Sequence, residues 1–401
     1  MFLELVIAVV LGVLSGIFTG LFPGIHVNLI SVLLLSLSPL LLSFTSATLL
    51  CVYIISLAIT HSFLDSLPSI YLGAPDEAQA LSVLPGHVLL HRGEGHNAIL
   101  CTVIGSYGCL LLSLLVFPLF LFGMAIVYPI IDSLIGYILI VIMAIMILRE
   151  KGKRLITLCC FLLAGALGVV VLSMKSLSQP LFPLLSGLFG FSIMLVSLMQ
   201  KATVPAQDLS LPLQLPISSA ARAVSAASLV GFVAAFLPGF GNSQAAIVAN
   251  EIIRERRAET FLTLVGGINT ANMLISIGTV YALSKARNGA IVAVRELVSV
   301  VDLQMMILFL GVALVVGSIA SLLTVYLSKV FSRVMSRVNY VDVIFGIILL
   351  ITCLTFIFDG LVGLVILLTA TCVGLMASFF GVGKNHLMGS LIVPVILYFI
   401  L

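Results

Sequence analysis

The sequence predicts an all-α polytopic membrane protein made of two inverted-topology repeats with broken helices or re-entrant hairpins. Three observations carry this: extreme apolarity, an internal repeat, and the placement of basic clusters. Of 401 residues, 62% are apolar and only 8% charged, and the mean hydropathy is +1.33. Soluble domains carry about 25% charged residues, so soluble, disordered and fibrous classes are excluded. A spanning helix uses about 20 mostly apolar residues, which bounds the number of spans at roughly a dozen. The net charge of +3, with no basic block interleaved with aromatics, excludes a nucleic-acid partner.

Apolar stretches fall at 3–22, 27–43, 46–64, 97–122, 124–148, 155–173 and 181–199. They resume at 222–237, 243–253, 260–283, 303–327, 341–358, 360–379 and 387–401. The runs 27–43, 243–253 and 387–401 are short for a full crossing and suit half-helices or hairpin arms, giving 10–14 membrane segments. The first stretch has no basic leader region and no small-residue cleavage site, so it reads as a retained span. Seven cysteines lie in or beside apolar runs without a CxxC pair and read as helix-packing residues.

The connection 200–221 separates a first repeat, 1–199, from a second, 222–401. Gly16, Pro23 and Gly24 recur at one spacing as Gly231, Pro238 and Gly239. Thr60, Leu64, Ser66, Tyr71 and Ala80 recur, at a slightly shorter one, as Thr270, Leu274, Ser276, Tyr281 and Ala290. Basic clusters stand at 149–154, at Arg254, Arg256 and Arg257, and at Lys329, Arg333 and Arg337. Their counterparts in the other half are uncharged. Short basic loops stay cytoplasmic, so equivalent loops face opposite sides, as inverted repeats require.

Two interrupted segments form the first candidate site: Leu21-Phe22-Pro23-Gly24-Ile25-His26-Val27-Asn28 and Phe236-Leu237-Pro238-Gly239-Phe240-Gly241-Asn242-Ser243-Gln244. Pro removes a backbone donor and Gly relaxes the chain, so each helix breaks there. Paired breaks in inverted halves point to a central site. The restarting helices would offer N–H groups to an anion, and freed carbonyls would suit Na⁺. His26, Asn28, Asn242, Ser243 and Gln244 add polar side chains; an ordinary Pro-Gly kink is the competing reading. A second pair of segments, Thr60 to Ser69 and Asn269 to Ser276, is the other component. Helical spacing puts Ser62, Asp65, Ser66 and Ser69 on neighbouring faces, with Thr270 and Asn272 on the paired helix. An ionisable group at membrane depth is a functional candidate by default, so Asp65 is assigned to ligate Na⁺ or carry a proton. An interfacial position is its alternative, and the expected reading for Asp132.

The polar tract from Gly73 to Asn97 holds His87, His91, Glu94 and His96. Two histidines four apart on a helical turn suit a metal, but Gly86, Gly93 and Gly95 argue against a rigid helix, and a gating segment or solvated loop competes. Arg92, and Arg287 in the second half, are candidates for pairing with a carboxylate. Gly381-Val382-Gly383-Lys384-Asn385-His386-Leu387 lacks the spacing of a phosphate loop and reads as a turn.

Together, the two Pro-Gly motifs, the tract Ile70-Tyr71-Leu72-Gly73-Ala74-Pro75 running into Leu84-Pro85-Gly86-His87, Arg92-Gly93 with Ala98-Ile99, and Pro183-Leu184-Leu185-Ser186-Gly187-Leu188-Phe189-Gly190 resemble the large membrane subunit (permease) of tripartite tricarboxylate transporters. The resemblance covers nearly the whole chain. It implies a secondary transporter of carboxylates such as citrate in the cell membrane of a prokaryote. It also implies ion-gradient coupling, a small membrane subunit and an extracytoplasmic binding protein. The chain is shorter than typical bacterial members and reads Pro-Gly-Ile-His where a second Gly-Pro step is common, which fits a short stand-alone archaeal-type variant. Pro23, Gly24, Pro238 and Gly239 match the family's motifs.

The expectation is therefore a multi-pass, ion-coupled carrier of a small organic anion working by alternating access. It needs no cofactor beyond a coupling Na⁺ or H⁺, and a homo-oligomer is compatible with it. It is not expected to be an enzyme. The alternatives are a passive channel, or an intramembrane metal-dependent enzyme using His87, His91 and Glu94.

Overall fold

The computed structural model describes residues 2–22, 27–74, 77–132, 134–150, 152–199, 205–236, 241–286, 288–298, 300–336 and 340–401. Among the described residues the secondary structure is helical, without strands. The first half runs through α1 (Phe2–Leu21), α2 (Val27–Ser36), α3 (Ser38–Leu41) and α4 (Ala47–Leu64), which a π-helical turn, Pro68–Leu72, prolongs. A 3₁₀ turn, Glu77–Ser82, leads into α5 (Val83–Leu90), followed by α6 (Gly95–Leu115), α7 (Phe117–Asp132), α8 (Ile135–Arg149) and α9 (Arg154–Ser173). The half closes with α10 (Leu181–Leu185), a second π-helical turn, Ser186–Phe191, and α11 (Ser192–Met199). The second half comprises α12 (Ile217–Phe236), α13 (Asn242–Ile253), α14 (Ala258–Leu283), α15 (Gly289–Val298), α16 (Leu303–Met335) and α17 (Tyr340–Phe379). A 3₁₀ turn, Lys384–Met388, then precedes α18 (Gly389–Ile400).

Among the described residues, nine helices are long and apolar enough to cross a membrane, and Gln79–Leu90, Gly136–Arg149 and Lys384–Ile400 are shorter apolar helices. Several boundaries differ from the apolar pattern for local reasons. The predicted run 97–122 divides at Val116, because Pro118 cannot donate into a continuing ladder and instead occupies the first turn of α7. Helix α12 starts inside the predicted connection, where Ala220 N–H bonds the Pro216 carbonyl (2.9 Å) and Ser218 and Ser219 form a polar first turn. His87 lies on a helix despite Gly86. A Cβ on Gly86 would stand 2.7 Å from Ile70 Cγ1, so this glycine lets α5 seat on the π-helical turn. Within α17, Gly360 (φ 59°, ψ −149°) breaks the helix where the sequence separates two apolar runs.

Helices α4 and α14 form the centre. In their apolar windows 78% and 89% of residues are buried, against 17% in α1 and 22% in α17. Leu3, Val10 and Leu14 of α1 and Leu361, Val365 and Leu368 of α17 are exposed, which places an apolar rim where lipid would lie. Packing partners correspond between the halves. Helix α1 lies on α4 as α12 lies on α14; α4 meets α16 as α14 meets α6; α9 meets α18 as α10 and α11 meet α17. Glycines make the close seams. A Cβ on Gly16 would stand 2.5 Å from Thr60 Cβ, and one on its counterpart Gly231 would stand 2.8 Å from Ala271 Cβ. Gly187, of the Pro-Leu-x-x-Gly-x-Phe-Gly motif, admits the Leu367 carbonyl and Ala370 of α17 in the same way. Four cysteines (Cys51, Cys101, Cys109, Cys160) are buried packing residues, whereas Cys159, Cys353 and Cys372 are exposed on outer faces, correcting the expectation that all seven pack between helices.

Candidate functional site

Asp65 caps the C-terminus of α4, its N–H bonded to the His61 carbonyl (2.9 Å), with Pro68 opening the π-helical turn beyond it. Such turns leave an irregular backbone inside an otherwise regular span. Asp65 is 3% exposed. A carboxylate at that depth is costly unless hydrogen-bonded, and both oxygens are served. Oδ2 accepts from Asn269 Nδ2 (2.8 Å) and Oδ1 from Gln79 Nε2 (3.1 Å). Asn269 Nδ2 also donates to the Ser62 carbonyl (3.2 Å), while Asn269 Oδ1 accepts from Asn242 Nδ2 (2.8 Å). Asn242 Oδ1 in turn accepts from Asn272 Nδ2 (2.5 Å), and Ser276 Oγ donates to the Asn272 carbonyl (2.6 Å).

This network joins α4 and the 3₁₀ turn of the first half to α13 and α14 of the second. Asn269, Asn272 and Ser276 share a face of α14 because they are three and four residues apart. Asn242 reaches them because α13 restarts directly after the second Pro-Gly interruption. Carboxylate and amide oxygens are hard donors, suited to a small cation or a proton and unsuited to soft-metal chemistry.

The structure brings together Asp65, Asn242 and Asn272 from the predicted set. Ser62 joins the network through its carbonyl; its hydroxyl donates to Ile59 O (2.9 Å) and that of Ser66 to Phe63 O (2.9 Å), which commits both protons to their own helix and leaves the oxygens as acceptors. Ser243 and Gln244 are buried on α13, and Thr270 on α14; Gln244 Oε1 and Thr270 Oγ1 have no hydrogen-bond partner. Pro23, Gly24, His26, Pro238 and Gly239 lie outside the described residues, as do Arg287 and the side chains of Asn28 and Asp132. Of the residues beside these motifs, Phe22 is a bend after α1 and Gly241 is extended (φ −75°, ψ 177°) before α13. Sequence reasoning missed Asn269 and Gln79. Asn269 stands one helical turn before Asn272, a spacing that would have flagged it; nothing local marks Gln79.

The histidine tract separates into different settings. His87 is buried on α5 with neither ring nitrogen hydrogen-bonded, His91 lies beside it at 6.2 Å between ring centroids, and His96 Nδ1 bonds Ser328 Oγ (2.6 Å). Among the described residues no group of three or more His, Cys, Asp or Glu side chains is placed to hold a metal ion. Arg92 is exposed, with no ion pair among the described residues.

The basic loops gather on one face. Arg149 pairs with Glu251; Lys153 Nζ donates to Gly381 O (3.1 Å); His386 Nε2 meets Glu150 Oε1 (3.2 Å); Arg222 pairs with Glu255 (3.3 Å). Gln207 ties the end of α16 to the α5–α6 turn: its N–H donates to Ser336 Oγ (2.8 Å), its Nε2 to Leu90 O (3.0 Å), and its Oε1 accepts from Gly95 N–H (2.9 Å). A cavity of about 890 Å³ opens there, its lining including Ala80 and Asn250 with the charged residues Arg92, Arg256, Arg257, Lys384, Glu251, Glu255 and Glu259. Ala80 belongs to the same 3₁₀ turn as Gln79, so the cavity wall adjoins the Asp65 network.

A family model described as the tripartite tricarboxylate transporter TctA family matches residues 6–389. An uncharacterized protein of Methanocaldococcus jannaschii is 28% identical over 360 residues, covering 87% of this chain and 88% of that protein. No solved structure matches. The near-complete family match and the nine apolar helices agree, and the chain belongs to the tripartite tricarboxylate transporter TctA family, as a multi-pass membrane permease component.

Proposed function

We propose that this protein is an ion-coupled symporter for a small organic anion, a di- or tricarboxylate, working by alternating access of two inverted repeats, 1–199 and 222–401, in the cytoplasmic membrane of a prokaryote. The observation that carries this reading is the buried network of Asp65, Asn269, Asn242 and Asn272, which is shared between the halves and contains an ionisable group at membrane depth. A site made from both repeats changes whenever one repeat moves against the other, which is what coupling requires. The corresponding helix pairings of the two halves support the inverted relationship. The gathering of basic loops on one face supports a cytoplasmic orientation for that face. Asp65 and the neighbouring amide oxygens take the coupling Na⁺ or H⁺. The family is part of a tripartite system, so a small membrane subunit and an extracytoplasmic binding protein are the proposed partners; assembly into a homo-oligomer is compatible with the exposed apolar rim.

The test is uptake of labelled citrate and succinate into proteoliposomes with an imposed Na⁺ or proton gradient. Accumulation above the external concentration is expected. Asp65→Asn and Asn269→Ala should each lower uptake at least tenfold while the protein remains monodisperse. Equilibration without accumulation would establish a passive channel instead. Full uptake by both variants would remove the network from the mechanism.

A further inference from the structure

The turn at Lys384, unremarkable in sequence, carries a buried lysine. Lys384 is 8% exposed. Its Nζ donates to Ser192 Oγ (2.7 Å) and to the Gly374 carbonyl (2.8 Å), and among the described residues no carboxylate lies within ion-pair distance. In its protonated form the amine has three donors, so two are held by the protein and one is left over. Burying such a charge costs several kcal/mol unless an opposite charge compensates it, and none of its described partners is anionic. The side chain also sits in the wall between two cavities. One is the 890 Å³ cavity on the basic face; the other, about 570 Å³, is lined by His87, His91, Ser197, Ser378 and Lys384. His87, only 3% exposed, borders this second cavity with neither ring nitrogen partnered among the described residues. The construction is deliberate on both sides of the amine. A Cβ on Gly374 would stand 2.6 Å from Ser192 Cβ and 2.7 Å from Ser192 Oγ, so the glycine lets the hydroxyl and the carbonyl lie together as one seat for Nζ.

We propose that Lys384 is the carboxylate-binding residue of this protein: its free N–H receives a carboxylate of a small organic acid in the cavity that opens on the basic face. Cavities of this size, apolar with a few convergent polar groups, suit small molecules. Of the lining glutamates, Glu251 and Glu255 are paired with Arg149 and Arg222, which leaves Arg92, Arg256 and Arg257 facing Glu259 alone and gives the cavity a cationic balance that favours an anion. This divides the labour chemically, with oxygen ligands around Asp65 for the cation and nitrogen donors around Lys384 for the anion. The assignment rests on reading the chain as a carrier of organic anions.

Binding of citrate and of succinate to the purified full-length protein, followed by calorimetry, tests it. Lys384→Met keeps the length of the side chain and removes the charge; Lys175→Met removes an exposed lysine as control. The expected result is at least a tenfold loss of affinity in Lys384→Met and none in Lys175→Met, the size that follows from losing one charge-assisted hydrogen bond. If Lys384→Met fails to fold, Ser192→Ala unseats the amine by a milder change and should weaken citrate several-fold. Unchanged affinity in whichever of these two variants folds overturns the Lys384 site and leaves the carrier reading standing. Absence of binding by the unmodified protein overturns both.

Discussion

The seam between α6 and α14 offers a direct test of how the two halves are held together. A Cβ on Gly266 would lie 2.5 Å from the Thr102 carbonyl oxygen and 2.9 Å from Thr102 Cα, and these are backbone atoms that cannot swing aside. Ordinary contact begins near 3.4 Å, so Gly266→Ala must open the seam by about 0.9 Å, and gaps of that size forfeit a quarter to a half of each dispersion contact. Overpacking of this kind costs about 1–3 kcal/mol. The reference is Gly311→Ala on α16, where nothing lies within 4 Å of the new methyl; a helix gains about 0.5–1 kcal/mol from that exchange. The two substitutions are chemically identical, so the difference between them isolates the seam. Thermal unfolding in detergent should show Gly266→Ala melting well below, and Gly311→Ala at or above, the unmodified protein. Because Gly266 lies three residues before Asn269, the first variant should also reduce citrate uptake. Parallel melting curves would show that α14 is not packed backbone to backbone on α6.

Other expectations follow from single contacts. Tyr71→Phe removes a buried hydroxyl that lies 2.6 Å from Ser332 Oγ and donates to Ser328 O at 3.1 Å; it should cost about 1 kcal/mol in thermal unfolding and leave uptake unchanged. Asp359→Ala deletes the carboxylate oxygen that accepts the Ser178 and Gln179 N–H groups (2.6 and 3.0 Å). A loss of about 1.5–3 kcal/mol is expected, and faster proteolysis at that loop would report it. Citrate at a hundred times its Kd should stabilise the folded protein by about 2.7 kcal/mol, more in Na⁺ than in K⁺ if Na⁺ is the coupling ion; equal shifts in both salts would exclude Na⁺.

How far the sequence could be read depended on whether a residue acts locally. Gly16 and Gly231 were visible as a repeat, and the structure gives the reason: each admits a neighbouring helix. The break inside α17 was visible because Gly360 stands between two apolar runs and takes a backbone conformation that a helix cannot hold. Ser62 and Ser66 share a helical neighbourhood with Asp65 and donate their hydroxyl protons to their own backbone, a choice that spacing does not encode. Gly86 also misled, because its penalty in an isolated helix is outweighed by packing on Ile70. Gln79 and Lys384 were illegible for a different reason. Their meaning comes from partners on other helices, Asp65 for one and Ser192 with Gly374 for the other, and no periodicity links those positions.

The amide chain through the centre has a direction. Asn272 donates to Asn242, Asn242 to Asn269, and Asn269 to Asp65, so every step points toward the carboxylate. An anion at the end is what favours that orientation, since it can only accept. Protonate Asp65, or place a cation on its oxygens, and the preference at the far end of the chain weakens, because an amide that loses its acceptor does better reversed. The polarity of α13 against α14 is therefore read out from a group on α4. On the proposed reading, occupancy at one position becomes, through the turning of these amides, a change in how firmly the two halves hold each other.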